Sequence, residues 1–332
     1  MNKTSIEWVK NPDGSQGYTW NPITGCLNHE NGLCKGGGFP CYAFKLAHGR
    51  LKQRYYSNPI VAPRFEDDGT RYNRYEDLHD PFFPRFWEER LTEPLSCLKD
   101  ELSYYPQQPK GIFVCDMGEL FGDWIPLKWQ EEVFEVIRAC TRSKNILNHR
   151  FYLLTKQPQK LIRFSPFPAN CYIGVTVTGH NSFWRALSYL KDIKATVKFL
   201  SLEPLLEHIK LLPPPYSNFE PVNKPVSSEA LRLAGISWLI IGACTGSLEG
   251  IKRTNYIYKD TDGLMPLPYG KKWTLQPKIE WVEELVEAAD EAGISVFLKD
   301  NLEPLFEPYY ELEYPWAYRW SSLRQEMPWE VE

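Results

Sequence analysis

The chain has 332 residues, of which 43% are hydrophobic and 24% are charged, and its formal net charge is -4. This length is enough for one large α/β barrel or for two smaller domains, and the hydrophobic fraction is too high for a disordered chain. No apolar run reaches the roughly 18 residues that a membrane-spanning helix needs. The near-neutral charge argues against indiscriminate binding to nucleic acid and leaves a local basic groove open.

Residues 1–15 lack the apolar segment of a secretory signal, so we expect a cytoplasmic protein. Thiols stay reduced in that compartment. The eight cysteines are therefore expected to be buried thiols, metal ligands or catalytic groups rather than partners in disulfides.

Short runs of β-branched and aromatic residues alternate with segments of helical periodicity. In chain order, the pattern predicts a strand at 112–115, a helix at 127–141, strands at 151–155 and 172–177, a helix at 181–191, strands at 197–201 and 238–242, a helix at 277–292 and a strand at 296–299. Apolar runs of this kind are typical of strands that a parallel sheet buries on both faces. Polar residues recur at the strand ends, which favours a barrel. The predicted fold is α/β, a partial or complete (β/α) barrel of parallel strands with long loop insertions.

We expect one domain over residues 1–332, interrupted by three stretches with little periodicity. These insertions cover about 50–110, 207–234 and 246–276, and residues 302–332 form a C-terminal extension. Long irregular stretches in a compact α/β protein are typical of lids, binding loops or surface insertions. Within the first insertion, arginines alternate with aromatic residues, a composition that suits phosphates and bases. Acidic residues in the same segment, among them Glu66, Asp67, Asp68, Glu76, Asp77 and Asp80, are equally consistent with a self-paired, solvated surface.

The most specific feature is a group of three cysteines, Cys26, Cys34 and Cys41, with the spacing C-x7-C-x6-C and four glycines between the first and the last. Core thiols would follow helix or strand periodicity among apolar neighbours, and these do not. A glycine-rich loop lets the backbone wrap a compact inorganic centre. The residues favour a [4Fe–4S] cluster with one open iron over structural zinc, whose fourth ligand would be His29, His48 or a remote cysteine.

Several segments resemble one family. Residues 19–26 (TWNPITGC) and 41–43 (CYA) resemble the phage Gp37/Gp68 family, also called the DUF5131 or three-Cys-motif proteins. Further landmarks follow in the same order at 113–121, 153–158, 173–177, 199–206 and 238–242, so the resemblance covers about residues 4–300.

That family is similar to radical S-adenosylmethionine (SAM) enzymes, and this similarity implies a chemistry. It implies that Cys26, Cys34 and Cys41 ligate a [4Fe–4S] cluster, that SAM is the second cofactor and that its cleavage yields a 5′-deoxyadenosyl radical. It also implies an electron donor of flavodoxin or ferredoxin type and, because the family is frequent in phages, a nucleic acid or nucleotide as substrate to be modified or repaired. The usual radical SAM spacing is C-x3-C-x2-C, so the path of this cysteine loop must differ.

The resemblance also suggests how SAM is held. The loop after the 112–115 strand offers Met117, Gly118 and Glu119 to the SAM ammonium group. Lys156, at the end of the 151–155 strand, is offered to the SAM carboxylate. Further cofactor-binding candidates are Thr176, Ser201 and Tyr42. Three of these assignments have ordinary alternatives. Glu119 is equally consistent with an anion at a helix start, and Lys156 with a solvated lysine beside a turn. Thr178, near Thr176, is equally consistent with a helix N-cap.

Catalytic candidates lie at other strand ends. Glu203 would point into a barrel mouth, and Cys244 or Cys115 would donate hydrogen to a substrate radical, with burial in the core as the alternative for both thiols. Lys299 and Asp300 complete the polar strand ends. Cys97, Cys140 and Cys171 are predicted to serve packing alone. Two other functions remain open, a non-enzymatic zinc-stabilised binding module and a radical SAM enzyme that acts on a peptide.

Overall fold

The computed structural model describes residues 1–66, 68–95, 108–142, 149–210, 226–259, 263–306 and 323–329. The predicted packing residue Cys97 lies outside these ranges, as does most of the C-terminal extension. In chain order the strands are β1 (Asn2–Lys3), β2 (Tyr18–Trp20), β3 (Ile23–Thr24), β4 (His29–Glu30), β5 (Leu33–Cys34), β6 (Arg64–Phe65), β7 (Arg71–Tyr72), β8 (Arg85–Phe86), β9 (Gly111–Val114), β10 (Arg150–Thr155), β11 (Cys171–Thr176), β12 (Val197–Leu202), β13 (Trp238–Ile241), β14 (Cys244–Gly246), β15 (Met265–Tyr269), β16 (Lys272–Gln276) and β17 (Ser295–Leu298).

The helices are interleaved with these strands. They are α1 (Tyr42–His48), α2 (Lys52–Tyr56), α3 (Tyr75–His79), α4 (Leu127–Arg142), α5 (His180–Leu190), α6 (Val226–Ala234), α7 (Leu248–Ile257), α8 (Ile279–Ala292) and α9 (Glu303–Phe306), with 3-10 turns at Glu88–Arg90, Pro158–Phe164 and Asp300–Leu302. Within the described residues, no helix is both long enough and apolar enough to cross a membrane.

One sheet organises the described part of the chain. Its eight strands follow the order β1-β2-β9-β10-β11-β12-β13-β17. Strand β2 pairs in parallel with β9, β9 with β10, β12 with β13 and β13 with β17, whereas β1 is antiparallel at one edge. The α/β class with a mostly parallel sheet is therefore confirmed. Its parallel strands are buried along nearly their whole length, as the apolar runs predict, whereas the antiparallel edge strand β1 is exposed.

Helix α8 shows how local sequence sets an element boundary. Its apolar positions recur at helical spacing and are buried on one face. It ends at Gly293, which adopts a left-handed φ of 70° and returns its N–H to the carbonyls of Ala289 and Asp290. A residue with a side chain is strained in that conformation, so a glycine marks the end of the helix.

Residue contacts divide the chain into two compact units. The first comprises Met1–Cys34, Cys41–Lys160 and Pro166–Tyr172, and the second comprises Lys35–Pro40, Leu161–Ser165 and Ile173–Glu332. The three cysteines of the predicted cluster site belong to the first unit. The residues between the second and third of those cysteines belong to the second unit. The two units are described separately below.

The first predicted insertion contains more regular structure than its sequence indicates. It forms α2, α3 and β6 to β8, and the Arg85 side chain is fully buried. Arg85 donates hydrogen bonds to the backbone carbonyls of Leu78 and Asp80 at 2.7 and 2.6 Å. Arg64 pairs with the Asp77 carboxylate through two hydrogen bonds of 2.7 and 2.6 Å. These two guanidinium groups hold the segment together and are already committed to internal partners.

Candidate functional site

The first cysteine of the motif follows a glycine that no other residue could replace without a shift. Gly25 lies between β3 and Cys26 with a left-handed φ of 89°. A Cβ atom at this position would lie 2.6 Å from the carbonyl oxygens of both Phe82 and Phe83. Backbone atoms cannot yield as a side chain can, so the Thr-Gly-Cys sequence reflects a close approach between two backbone segments.

The cysteine loop is joined directly to the loop that was predicted to bind SAM. The Gly25 N–H donates to the Met117 carbonyl at 2.9 Å, and the Glu119 N–H donates to the Gly25 carbonyl at 3.2 Å. A Cβ atom at Gly118 would lie 2.9 Å from the Gly25 oxygen. The buried Met117 side chain belongs to an apolar cluster against which Cys26 and Cys41 pack. The sequence motifs at 24–26 and 117–119 therefore form one structural feature.

Backbone amides point at two of the three sulfurs. The Cys26 Sγ accepts the Asn28 N–H at 3.2 Å. The Cys41 Sγ accepts the Phe44 N–H at 3.5 Å and caps α1. Cys34 is buried in β5 opposite His29. In the metal-free chain burial raises the pKa of Cys26 and Cys41, so binding a cation would be the step that deprotonates them.

Lys156 is the cation of this cysteine site. It directly follows β10, and burial opposes its charge. Cys34, Glu119, Cys41 and Cys26, in their charged forms, favour the ammonium, and the pKa of Lys156 is raised overall. Lys156 is also joined to the Cys26 loop through Glu119, whose carboxylate accepts the Lys156 N–H and whose N–H donates to the Gly25 carbonyl.

The Glu119 carboxylate is held by the strand end that carries Lys156. Its Oε1 accepts the Thr155 hydroxyl at 2.8 Å and the Phe121 N–H at 3.1 Å, and its Oε2 accepts the Lys156 N–H at 3.3 Å. The side chain is buried, and burial raises the pKa of Glu119. Glu119 therefore ties the loop after β9 to the end of β10.

Two residues of this site were given no role by the sequence reasoning, Asn21 and Asp116. The Asn21 side chain donates to the Asp116 Oδ1 at 2.6 Å and accepts the Met117 N–H at 3.0 Å. The Tyr42 hydroxyl donates to the Asp116 carbonyl at 2.5 Å. Burial raises the pKa of Asp116. The signal for Asn21 was its place in the distinctive Trp-Asn-Pro segment.

Part of the first insertion packs behind the cysteine loop. The Trp87 indole donates to the Thr24 hydroxyl at 2.9 Å, and the Arg90 guanidinium lies 3.8 Å from the Trp87 ring centroid. Arg90 also donates to the Asn21 carbonyl at 2.9 Å. The packed Trp87 ring and Arg90 guanidinium therefore support the loop that carries Cys26.

Cys115 occupies an uncommon backbone conformation at the end of β9. Its φ is 57°, in the left-handed region, and its thiol is buried. Burial raises the pKa of this thiol. A left-handed conformation costs a non-glycine residue about 1 kcal/mol or more, and here the surrounding hydrogen bonds, such as Cys115 N–H to the Trp20 carbonyl at 2.8 Å, hold it in place. Cys140 and Cys171 are fully buried, as predicted for packing residues.

Among the residues that the structure describes, no group of three His, Cys, Asp or Glu side chains is arranged to hold one metal ion. Backbone hydrogen bonds to sulfur, such as those at Cys26 and Cys41, are typical of iron–sulfur sites.

In the second unit, Glu203 and Lys299 form a partly buried ion pair. They follow β12 and β17, whose last residues align with the last residue of β13. The Lys299 ammonium donates to the Glu203 carboxylate. Asn301 donates to the Ala243 carbonyl at 2.9 Å and accepts the Ala243 N–H at 3.0 Å. The parallel register thus brings these predicted strand-end residues together.

Cys244 lies beside this ion pair and retains its proton. It begins β14 and is 4% exposed. Burial and, to a smaller extent, the Glu203 charge raise the pKa of Cys244 to about 12. At neutral pH this group is a thiol rather than a thiolate.

The remaining candidates of the second unit are also buried. Ser201 lies in β12 with 2% of its surface exposed, and Thr176 ends β11. The Thr176 hydroxyl is buried and has no hydrogen-bond partner among the described residues. A buried hydroxyl of this kind has a free donor and acceptor for a ligand or a water molecule.

The long spacing between Cys34 and Cys41 has a structural reason within the second unit. Residues 35–40 are anchored on α7: the Tyr258 hydroxyl donates to the Gly37 carbonyl at 2.7 Å, and Phe39 packs against the apolar cluster around Ile251. A Cβ atom at Gly38 would lie 3.4 Å from Ile257. The extra residues of the loop therefore form a segment that packs against α7 and Tyr258.

The fold and the cysteine site can now be compared with known proteins. The model of a family described as "Protein of unknown function (DUF5131)" matches residues 3–255. This match spans more than half of the chain, so the protein belongs to that family, as its motifs predicted. No curated protein matches the chain in sequence.

Among solved structures, the chain is similar to spore photoproduct lyase complexed with dinucleoside spore photoproduct. The TM-score is 0.45 at 9% sequence identity, over 90% of this chain and 81% of the other. A point mutant of the same lyase with dinucleoside spore photoproduct is similar with a TM-score of 0.42, at the same identity and coverage.

Proposed function

We propose that the protein is a radical SAM-type enzyme in which Cys26, Cys34 and Cys41 hold a [4Fe–4S] cluster. The observation that carries this proposal is that backbone hydrogen bonds join the Cys26 loop to the loop of Met117 and Glu119, while backbone amides donate to the Cys26 and Cys41 sulfurs. Buried cations and backbone amides near thiolates offset the negative charge that a thiolate-ligated cluster brings into a protein.

In this proposal the chain's own residues bind and orient the second cofactor, SAM. Lys156 pairs with the SAM carboxylate. The Glu119 Oε2 and the backbone of Gly118 face its ammonium group, and Tyr42 stabilises the loop through Asp116. Within the second unit, Thr176 and Ser201 are proposed as further cofactor-binding residues through their hydroxyls. When bound, a cluster held by the three cysteines would supply one-electron reduction of SAM, which gives methionine and a 5′-deoxyadenosyl radical.

Donation of hydrogen to a substrate radical is proposed for Cys244 or Cys115. A hydrogen atom is donated by a thiol rather than a thiolate, and the raised pKa values keep both groups protonated at neutral pH. Glu203 would hold a polar group of the substrate, and Lys299 would fix the orientation of the Glu203 carboxylate. The substrate class, a nucleic acid or nucleotide, and the flavodoxin- or ferredoxin-type electron donor are inferred from the family resemblance.

The experiment is an anaerobic purification followed by iron, sulfide and zinc analysis and an assay for SAM cleavage with a chemical reductant. We expect iron and sulfide in equal amounts and release of 5′-deoxyadenosine. Pools of DNA, RNA and peptides then rank the substrates by the release that each one stimulates. A colourless protein with one zinc ion per chain would instead establish a zinc-stabilised binding module.

A further inference from the structure

A pocket of about 470 Å³ lies at the C-terminal end of α7, within the second unit. Its lining includes Lys252, Asn255, Tyr256, Tyr258, Lys259 and Leu264. This volume is in the range of sites that bind small organic ligands. Of these residues only Tyr258 has a contact described above, its hydrogen bond to Gly37 between Cys34 and Cys41.

The side chains of this pocket combine cations with aromatic faces. The Tyr256 side chain is 70% exposed, and the Lys259 ammonium lies 5.1 Å from its ring centroid. Lys252 is exposed one helical turn before Tyr256. Lysines bind phosphate oxygens, and an exposed tyrosine ring offers a surface on which a base can stack.

The charge of the surrounding segment differs from that of the whole chain. Residues 246–276 contain five Lys and Arg against three Asp and Glu, whereas the whole chain carries a net charge of -4. Lys278 adds a further cation beside Gly263, where a Cβ atom would lie 2.0 Å from its Cε. A local excess of positive charge on a chain of negative net charge favours an anionic ligand at this place.

We propose that this pocket binds one phosphorylated nucleoside unit of a single-stranded nucleic acid. Tyr256 stacks on the base, and Lys252 and Lys259 contact the flanking phosphates. An acidic peptide would satisfy the lysines but would leave the exposed tyrosine ring without a stacking partner. The inference rests on the proposed function only for its substrate class, since the pocket itself requires neither cluster nor SAM.

Occupancy of the pocket is linked to the segment between Cys34 and Cys41. The Tyr258 ring lines the pocket, and its hydroxyl holds the Gly37 carbonyl at 2.7 Å. A ligand that packs on this ring therefore restrains residues 35–40 through the same side chain.

The test is the affinity of the full chain for a fluorescein-labelled hexathymidylate, measured by fluorescence anisotropy without cluster reconstitution and without SAM. We expect salt-sensitive binding that the double variant K252E/K259E weakens by roughly tenfold or more. Tyr256→Ala should weaken it about five- to 100-fold, whereas Tyr256→Phe, which keeps the ring, should bind like the wild type. Because no cofactor is present in this assay, a lack of binding would contradict the pocket proposal without contradicting the proposed cluster.

Matched controls lie on the first unit: Tyr75→Ala removes a tyrosine that is 71% exposed, and Lys128→Glu reverses a lysine whose side chain is 84% exposed. Both should bind like the wild type, and thymidine monophosphate should compete better than inorganic phosphate. Equal competition by phosphate, equal binding of hexaglutamate, or an unchanged affinity of Tyr256→Ala would overturn the proposal.

Bound oligonucleotide should also slow hydrogen exchange at residues 35–40, and the Tyr258→Phe variant should lose that protection.

Discussion

The Asn21 side chain donates a hydrogen bond to the Asp116 carboxylate at 2.6 Å and joins two loops that are 95 residues apart in sequence. The same side chain accepts the Met117 N–H at 3.0 Å. One amide group thus connects the segment that leads into Cys26 with the loop that precedes Glu119. Its two hydrogen bonds set the relative position of both loops.

Replacing Asn21 should therefore destabilise the protein without disrupting the sheet. Asn21→Ala leaves a partly buried carboxylate and a backbone N–H without these partners, so we expect a loss of about 2–3 kcal/mol in the free energy of unfolding. Asn21→Asp should cost more at neutral pH, because a second carboxylate would face Asp116. Urea denaturation followed by circular dichroism measures both, and equal stability of Asn21→Asp and the wild type would contradict the assigned contact.

The Thr155 hydroxyl is expected to hold Glu119 in place. Thr155→Val keeps the shape and strand preference of the residue but removes the donor at 2.8 Å from Oε1. We expect a loss of roughly 1–2 kcal/mol in the free energy of unfolding, measured by urea denaturation. The control is Thr141→Val, whose hydroxyl bonds to the Arg138 carbonyl one turn back in α4. A larger effect at Thr141 than at Thr155 would argue against a positioning role for Thr155.

Glu203 and Lys299 should show strong energetic coupling. Their side chains are only 26% and 11% exposed, so removing one partner leaves a poorly solvated charge. Lys299→Met alone and Glu203→Gln alone are each expected to lower the free energy of unfolding by about 2–3 kcal/mol. The double variant should lower it by less than the sum of the two single losses, as measured by urea denaturation. The exposed pair Lys160–Asp123, at 40% and 63%, serves as the comparison and should couple by less than about 1 kcal/mol. Additive losses at Glu203 and Lys299 would refute the coupling.

His149 should make the protein less stable in mild acid. Its side chain is fully buried, and burial together with the Lys110 charge lowers the pKa of His149 to about 4. The neutral ring contributes its full stability above the ordinary pKa of about 6.5, and this contribution is lost as the pH falls from there towards 4. The loss amounts to roughly 3 kcal/mol.

The measurement is the free energy of unfolding as a function of pH for the wild type and for His149→Asn. The side-chain carbonyl of the introduced asparagine would still accept the Lys110 N–H, which donates to the histidine Nδ1 at 3.0 Å, but an amide does not titrate in this range. The variant should therefore have a flatter profile between pH 6.5 and pH 4. Identical slopes would show that other groups cause the acid sensitivity.

Local sequence patterns sufficed for the core of the fold. The predicted strand at 197–201 is observed at Val197–Leu202, and the helix at 277–292 is observed at Ile279–Ala292. Periodicity and apolar runs predict such elements because burial on one or both faces dictates their composition. Strand β15 shows where the pattern is uninformative: Pro266 and Pro268 alternate along it, and this is tolerated because β15 lies at the edge of its three-stranded sheet.

For the candidate site, the sequence predicts residue types but not the contacts between them. Spacing and glycine content indicate the three cysteines, and the family resemblance indicates Lys156 and Glu119; their roles stay predictions. The hydrogen bonds of Asn21 to Asp116 and of Tyr258 to Gly37 join residues 95 and 221 positions apart. No local pattern encodes such contacts, because they depend on how the loops pack in three dimensions.

The most direct test of the central claim is the iron content of the anaerobically reconstituted protein and of two matched cysteine variants. Cys34→Ala removes a proposed ligand, whereas Cys140→Ala removes a fully buried thiol in α4 that has no proposed role in metal binding. We expect about four irons and four sulfides in the wild type and in Cys140→Ala, and a loss of both in Cys34→Ala with unchanged circular dichroism. Iron that survives the Cys34→Ala substitution, or zinc in place of iron in the wild type, would contradict the proposed cluster.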